Sequence, residues 1–309
     1  MSRQIDINEF NLINLAKLLY KDWLIIFIFT SLFSIFAVIY SLSLNNYYTS
    51  YALMAPVKDE GNNKSSILSS VGSLAGIAGL RAPSGINNKA DEAIERMTSK
   101  VFFKKLIEKY PEILPKLMAA MDYDHEKREI IFDNSQYLQN ENKWIREVKY
   151  PFQTIPSIQE SHKEFLKVFS VSSDEQSGFI TAKVVHISPI FAEKLLNIVI
   201  QEINEITRLK DLSESESALL FLLDKLEKNK NKNMDQSLNA LIQIELEKNT
   251  LSQISPNYVF EFIDKPFIPE LKTGPNRAII CIISFFAGLF LSCTFVLFKS
   301  DMSLLNSKQ

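Results

Sequence analysis

Two charge-free apolar runs, residues 23–44 and 278–298, bracket more than two hundred residues of ordinary water-soluble composition. A helix needs about 20 mostly apolar residues to cross the hydrocarbon of a bilayer, and both runs reach that length. The first carries fourteen Leu, Ile, Val or Phe side chains and the second thirteen. Each contributes roughly −0.3 to −0.6 kcal/mol to insertion, which outweighs the few Ser, Thr and Cys among them. Two spans return the chain to its starting side. The segment between them therefore stands in one compartment, tethered at both ends.

That segment has to fold without covalent help. The two cysteines, Cys281 and Cys293, both fall in the second run, so packing or oligomerisation must hold the middle. The net charge of −2 and the pI of about 6.0 provide no basic field for nucleic acid. The first run is longer than a signal-peptide core, and Asn45-Asn46-Tyr47-Tyr48 follows it instead of a small-residue cleavage site; it reads as an uncleaved anchor. Charge leaves the orientation open: Arg3, Lys17, Lys21, Lys299 and Lys308 on one side balance Lys58, Lys64, Lys265, Lys272 and Arg277 on the other. On the second run, Ser284, Gly288 and Ser292 recur at spacing four. Such a stripe lets two helices approach closely, and it also arises by chance where small residues are frequent.

Within the middle segment, residues 49–57 alternate loosely and read as a strand. Residues 66–80 interleave Gly72, Gly76 and Gly79 with Leu, Ile, Val and Ala but hold no phosphate-binding fingerprint. They suit an apolar loop and a close-packing surface between subunits equally. Residues 90–110 have helical spacing through Ile94, Met97 and Val101, with Phe102 and Leu106 at its edge, and Pro111 ends it. A short helix is expected over 115–121, ahead of a charged stretch at 122–129. Residues 133–154 show no firm period.

Residues 165–172 and 179–186 form the best strand pair, joined by turn residues 173–178. Ser188-Pro189 then supplies an N-cap and a proline at the first helical position. From there Leu195, Val199, Ile203, Ile206, Leu209 and Leu212 recur every three or four residues, continuing through Leu219, Leu223 and Leu226. The polar run Asn229-Lys-Asn-Lys-Asn233 interrupts this stripe before Leu238, Leu241, Ile242 and Leu246 resume it. If the interruption turns, the helices make a hairpin; if it does not, one rod approaches roughly 100 Å. Either way, a stripe this long asks for cover from neighbouring helices, including those of other subunits. Residues 258–263 read as a strand joining the earlier pair. Pro266, Pro269 and Pro275 make the approach to the second span a stiff connector. The whole pattern predicts an α+β membrane protein in which two transmembrane helices flank a base domain with long extended helices at about 189–254.

Chemistry-bearing constellations are poor. His125, His162 and His186 are far apart and lack the i, i+4 spacing of a helical zinc site. His186 ends an apolar strand and suits a packing role. No nucleophile elbow occurs, and neither cysteine lies outside the apolar runs. Asp174-Glu175 sits in a turn, while Lys225, Glu227 and Lys228 read as the solvated side of a helix. The expectation is a protein that is not an enzyme, with no catalytic, cofactor-binding or metal site.

Several segments carry a family likeness: Ile5-Asp6-Ile7, Ser177-Gly178-Phe179-Ile180-Thr181, His186-Ile187-Ser188-Pro189 with Ala192 and Asn197, Tyr258 through Pro269, and Gly274-Pro275-Asn276-Arg277. In this order between two terminal spans, they resemble the polysaccharide co-polymerases, the Wzz-like chain-length determinants of bacterial inner membranes. Lys272 and Gly274 depart from the Pro and Ser common there, which loosens the connector. The resemblance implies a cytoplasmic tail over 1–22, spans over 23–44 and 278–298, a periplasmic domain over 45–277 and a cytoplasmic tail over 299–309. It also implies a ring-like homo-oligomer, with a polysaccharide polymerase, a growing glycan chain and membrane lipid as partners. Relatives with a kinase domain carry it after the second span, where this sequence has eleven residues, so the likeness is to the non-kinase members. Control of the length of O-antigen or a related surface glycan is the implied function. Loss of a capsule or exopolysaccharide export component would instead abolish surface glycan, and a two-span sensor would need a cytoplasmic output module.

Overall fold

A computed structural model describes residues 20–57, 87–228, 232–255 and 257–306. These divide into two compact units, one built from the chain ends up to Asn46 and from Lys272 onward, the other from Tyr47–Leu271. The glycine-rich segment 66–80 lies outside the described residues.

In the first unit, helix α1 (Trp23–Ser43) packs against α8 (Arg277–Asn306). Both are long and apolar enough to cross a membrane. Small side chains lie in their contact, beside Val296 and aromatic rings. Thr30, Ala37 and Ser41 of α1 and Ser292 of α8 are buried, and Gly288 comes so close to α1 that an added Cβ would lie 2.8 Å from Phe33 Cβ. Only hydrogen fits there, so the stripe at Ser284, Gly288 and Ser292 includes a true close approach. Ser41 Oγ lies 4.0 Å from Cys281 Sγ, and the rings of Phe29 and Phe295 stack at 5.4 Å, so the helices run antiparallel.

The second unit is built on a four-stranded antiparallel sheet of order β6-β7-β1-β8. Strand β1 (Tyr48–Pro56) sits inside it, which explains its period of two: Tyr48, Ser50, Ala52 and Met54 are buried on one face. Opposite lies β7 (Ile180–His186), with Ala52 paired to Ala182 and Met54 to Ile180. Small residues at the centre of this face leave room for helix α6 (Pro189–Lys228), whose first half buries Phe191, Leu195, Leu196, Val199 and Ile203 in the same core. Ser188 caps this helix by accepting from Phe191 N at 3.2 Å, as its position before Pro189 predicts.

The edge strands differ from the sequence expectation in instructive ways. Strand β6 is only Phe169–Ser173; residues before it belong to α5 (Ile158–Val168), where Phe165 is a core side chain. Strand β8 (Phe260–Asp264) pairs with β1 rather than with the β6-β7 pair. A polar side chain decides this. Buried Asn204 of α6 accepts from Val259 N at 2.8 Å and Phe260 N at 2.9 Å, and donates to Phe260 O at 3.1 Å. The three bonds fasten the entry of β8 to the helix beneath the sheet.

The helical stretch before Pro111 is two helices, α2 (Asn87–Met97) and α3 (Lys100–Lys109). Ser99 breaks it by taking extended backbone angles and accepting from Phe102 N, the preferred role of serine at a helix start. Helix α4 (Ile113–Met118) begins two residues before Pro115, which is tolerated in a first turn that needs no donor. The charged stretch that follows is a hairpin of β2 (Ala120–Asp124) and β3 (Glu129–Phe132). Beyond it, Tyr137–Leu138 (β4) and Lys143–Trp144 (β5) pair briefly over a small cluster of Phe132, Tyr137 and Trp144. Arg146 then organises the loop to α5. Its guanidinium forks onto both Glu160 oxygens at 2.5 and 2.6 Å and donates to the carbonyls of Gln153 and Thr154.

The long helices form a hairpin. Helix α7 (Lys232–Ile254) returns along α6, with Asn249 Nδ2 donating to Ser215 Oγ at 3.2 Å and Arg208 to Ser252 O at 3.0 Å. Along α6 the covered positions are Leu212, Ser215, Leu219, Leu222 and Leu226, a three-four repeat of the coiled-coil kind. Leu220, Phe221 and Leu223 remain exposed. The sequence stripe had placed Leu223 with Leu219 and Leu226; the hairpin separates them.

Candidate functional site

Two features of the second unit are candidates for function: a polar-aromatic pocket and the uncovered apolar side of the hairpin. The pocket, of about 320 Å³, forms where four chain segments meet. Strand β1 contributes Tyr48 at its start, and the β2-β3 hairpin contributes Tyr123, His125 and Arg128. Pro189 and Ile190 come from the first turn of α6. Ile268, Pro269 and Glu270 come from the proline-rich stretch after β8.

Local chemistry explains why these groups converge. Asp124 Oδ1 accepts from Glu126 N and Lys127 N at 2.9 and 3.0 Å, which tightens the hairpin turn, and Arg128 takes a left-handed φ of 58°. The turn sets the His125 ring edge-on to Tyr123 at 5.0 Å and to Tyr48 at 5.7 Å. The Tyr48 hydroxyl lies 3.2 Å from His125 Nε2. Burial pushes the Tyr123 phenol up, so its hydroxyl stays neutral beside Ser188. Arg128 and Glu270 line the same pocket, and neither has an ion-pair partner among the described residues.

The three histidines stay apart in role. His162 bonds Thr98 O at 2.8 Å. His186 is a packed core histidine: Ser188 N donates to its Nδ1 at 3.0 Å, so Nε2 carries the proton given to Lys116 O at 3.0 Å. Burial lowers its pKa to about 4. Asp174 accepts from Gln176 N and Ser177 N within its turn, and those backbone bonds hold its carboxyl below the usual range. Lys228 pairs with Asp224 along the helix surface. Among the described residues, no group of three or more His, Cys, Asp or Glu is placed to hold a metal.

A half-buried ionic knot marks where the hairpin leaves the body. The Tyr258 hydroxyl donates to Asp211 at 2.7 Å, and Lys89 reaches the same carboxylate at 3.0 Å while lying over the Tyr258 ring. Burial alone would raise the Asp211 pKa, but Tyr258, Lys89 and Lys248 together hold it below the usual carboxylate range. Neither this knot nor the pocket follows from sequence spacing, because each gathers residues more than forty positions apart. The weak signal for the pocket is the run of prolines after β8.

A family model described as Wzz, chain length determinant protein, matches residues 8–110. Over that stretch the chain is Wzz-like. The match takes in α1, β1, α2 and α3, a third of the sequence, including the first apolar span and the central strand of the sheet. Two solved structures are similar to this chain at low identity. A full-length bacterial polysaccharide co-polymerase is 13% identical over 96% of this chain and 99% of that one, with a TM-score of 0.44. A fragment of WzzB, a polysaccharide co-polymerase from Salmonella Typhimurium, is 12% identical over 74% of this chain and 100% of the fragment, with a TM-score of 0.32. No curated protein sequence matches this chain.

Proposed function

We propose that this protein is a non-enzymatic, membrane-anchored regulator of the chain length of O-antigen or a related surface glycan. The observation that carries the reading is the chain-length-determinant match over 8–110. The two apolar helices, each able to span a bilayer, support it. In this reading α1 and α8 sit in the bacterial inner membrane with both tails cytoplasmic, and residues 45–277 stand in the periplasm. Copies of the chain assemble through the uncovered side of the α6-α7 hairpin. The assembly presents repeated weak contacts to the growing glycan and its polymerase, and multivalency converts these into useful residence time. Deleting the gene and restoring it on a plasmid tests this directly. The expected result is a broadened ladder of surface-glycan lengths that the plasmid narrows again. An unchanged ladder refutes length control, and complete loss of surface glycan assigns the protein to export instead.

A further inference from the structure

We propose that the pocket between Tyr48, Tyr123, His125, Arg128 and Glu270 binds a pyranose residue of a glycan. The choice of ligand class rests on the chain-length reading; the choice of site rests on the pocket itself. Its volume of about 320 Å³ lies at the low end for ligand sites and suits a sugar ring rather than an extended cofactor.

The lining is mixed in the way a sugar requires. A pyranose has an apolar C–H face and a rim of hydroxyls that both donate and accept. The exposed His125 ring and Ile268, with half-buried Ile190, supply apolar surface over the buried Tyr48, Tyr123, Pro189 and Pro269. Arg128 supplies donors only, and Glu270 acceptors only. Vicinal hydroxyls satisfy both kinds at once. A phosphate or carboxylate ligand would gain from Arg128 but meet the like charge of Glu270. A purely apolar ligand would strip water from both charges without replacing its hydrogen bonds. Because Arg128 and Glu270 are not paired with each other, a neutral polyol meets them without first breaking an ion pair.

His125, Arg128 and Glu270 are exposed, so replacing them leaves the fold intact. The test is saturation-transfer NMR on the full-length protein in lipid nanodiscs. The probes are glucose, galactose, mannose, rhamnose and N-acetylglucosamine at millimolar concentration, with inorganic phosphate as competitor. At least one sugar is expected to receive transfer. Arg128→Ala and Glu270→Ala are each expected to weaken it about tenfold, the cost of one hydrogen bond to a charged group. Glu175→Ala, in the remote β6-β7 turn, should leave it unchanged. Silence from every sugar, displacement by phosphate, or insensitivity to both pocket variants overturns the site. Binding is scored on the purified protein and the ladder in cells, so the two readings fail separately. A silent pocket with an altered ladder removes this site alone. Sugar binding with an unaltered ladder keeps the site and removes length control.

Discussion

His186 shows how much a single residue's environment can contribute. It ends β7 on the buried face, opposite Tyr48, and both ring nitrogens are committed to backbone partners. Protonation would put a charge in the core and force Nδ1 to become a donor toward the amide of Ser188, which is itself a donor. Burial lowers its pKa from 6.5 to about 4. Between those values the unfolded chain takes up a proton that the folded chain refuses, so stability declines as pH drops through this window and is complete above it. Unfolding of the detergent-solubilised protein by urea should show a loss on the order of 1–2 kcal/mol between pH 6.5 and pH 5. His186→Gln should flatten that slope. An equal slope in the variant would show that His186 titrates freely.

At the scale of elements, the contact between α1 and α8 rests on backbone approach rather than on bulk. Lipid tails offer no hydrophobic drive for helices to associate, so association comes from close packing where side chains are small. Gly288 against Phe33 is a point of close approach, and Ser41 near Cys281 lies further along the same seam. With Cys293→Ser removing the second thiol, Ser41→Cys should form an intramolecular disulfide with Cys281 on mild oxidation, read as a mobility shift on a non-reducing gel. Gly288→Leu should cut its yield severalfold, since overpacking of this kind costs about 1–3 kcal/mol. Formation of the disulfide at full yield in the Gly288→Leu protein would mean the helices meet elsewhere.

For the whole molecule, the informative surface is what the chain leaves uncovered outside its two long apolar helices. The α6-α7 hairpin half-buries Leu219, Leu222 and Leu226 and leaves Leu220, Phe221 and Leu223 exposed. A second copy is the proposed cover. Phe221→Asp with Leu223→Asp should lower the oligomer size seen by chemical crosslinking or native mass spectrometry while the helical circular-dichroism signal stays at wild-type strength. Leu219→Asp with Leu222→Asp should instead reduce the helical signal, because each places a charge between α6 and α7 at a cost of about 2–3 kcal/mol. Unchanged oligomer size in the first pair would remove the hairpin from the interface.

The sequence by itself determined the elements whose signal is local and dense. A charge-free, mostly apolar run of about twenty residues has few other uses, so both long apolar helices were legible; Ser188-Pro189 fixed the start of α6; period two marked β1, and Val, Ile and Thr content marked β7. Tertiary structure decided everything that depends on a distant partner. The pairing of β8 with β1 and the return of α7 along α6 each hang on contacts that no window of sequence contains. Asn204 looks like any polar residue on a helix until Val259 and Phe260 arrive from more than fifty positions away. The pocket belongs to the same class: its charges and rings come from four separate segments, and only folding brings a lone arginine in a hairpin turn to the same hollow as a glutamate after β8.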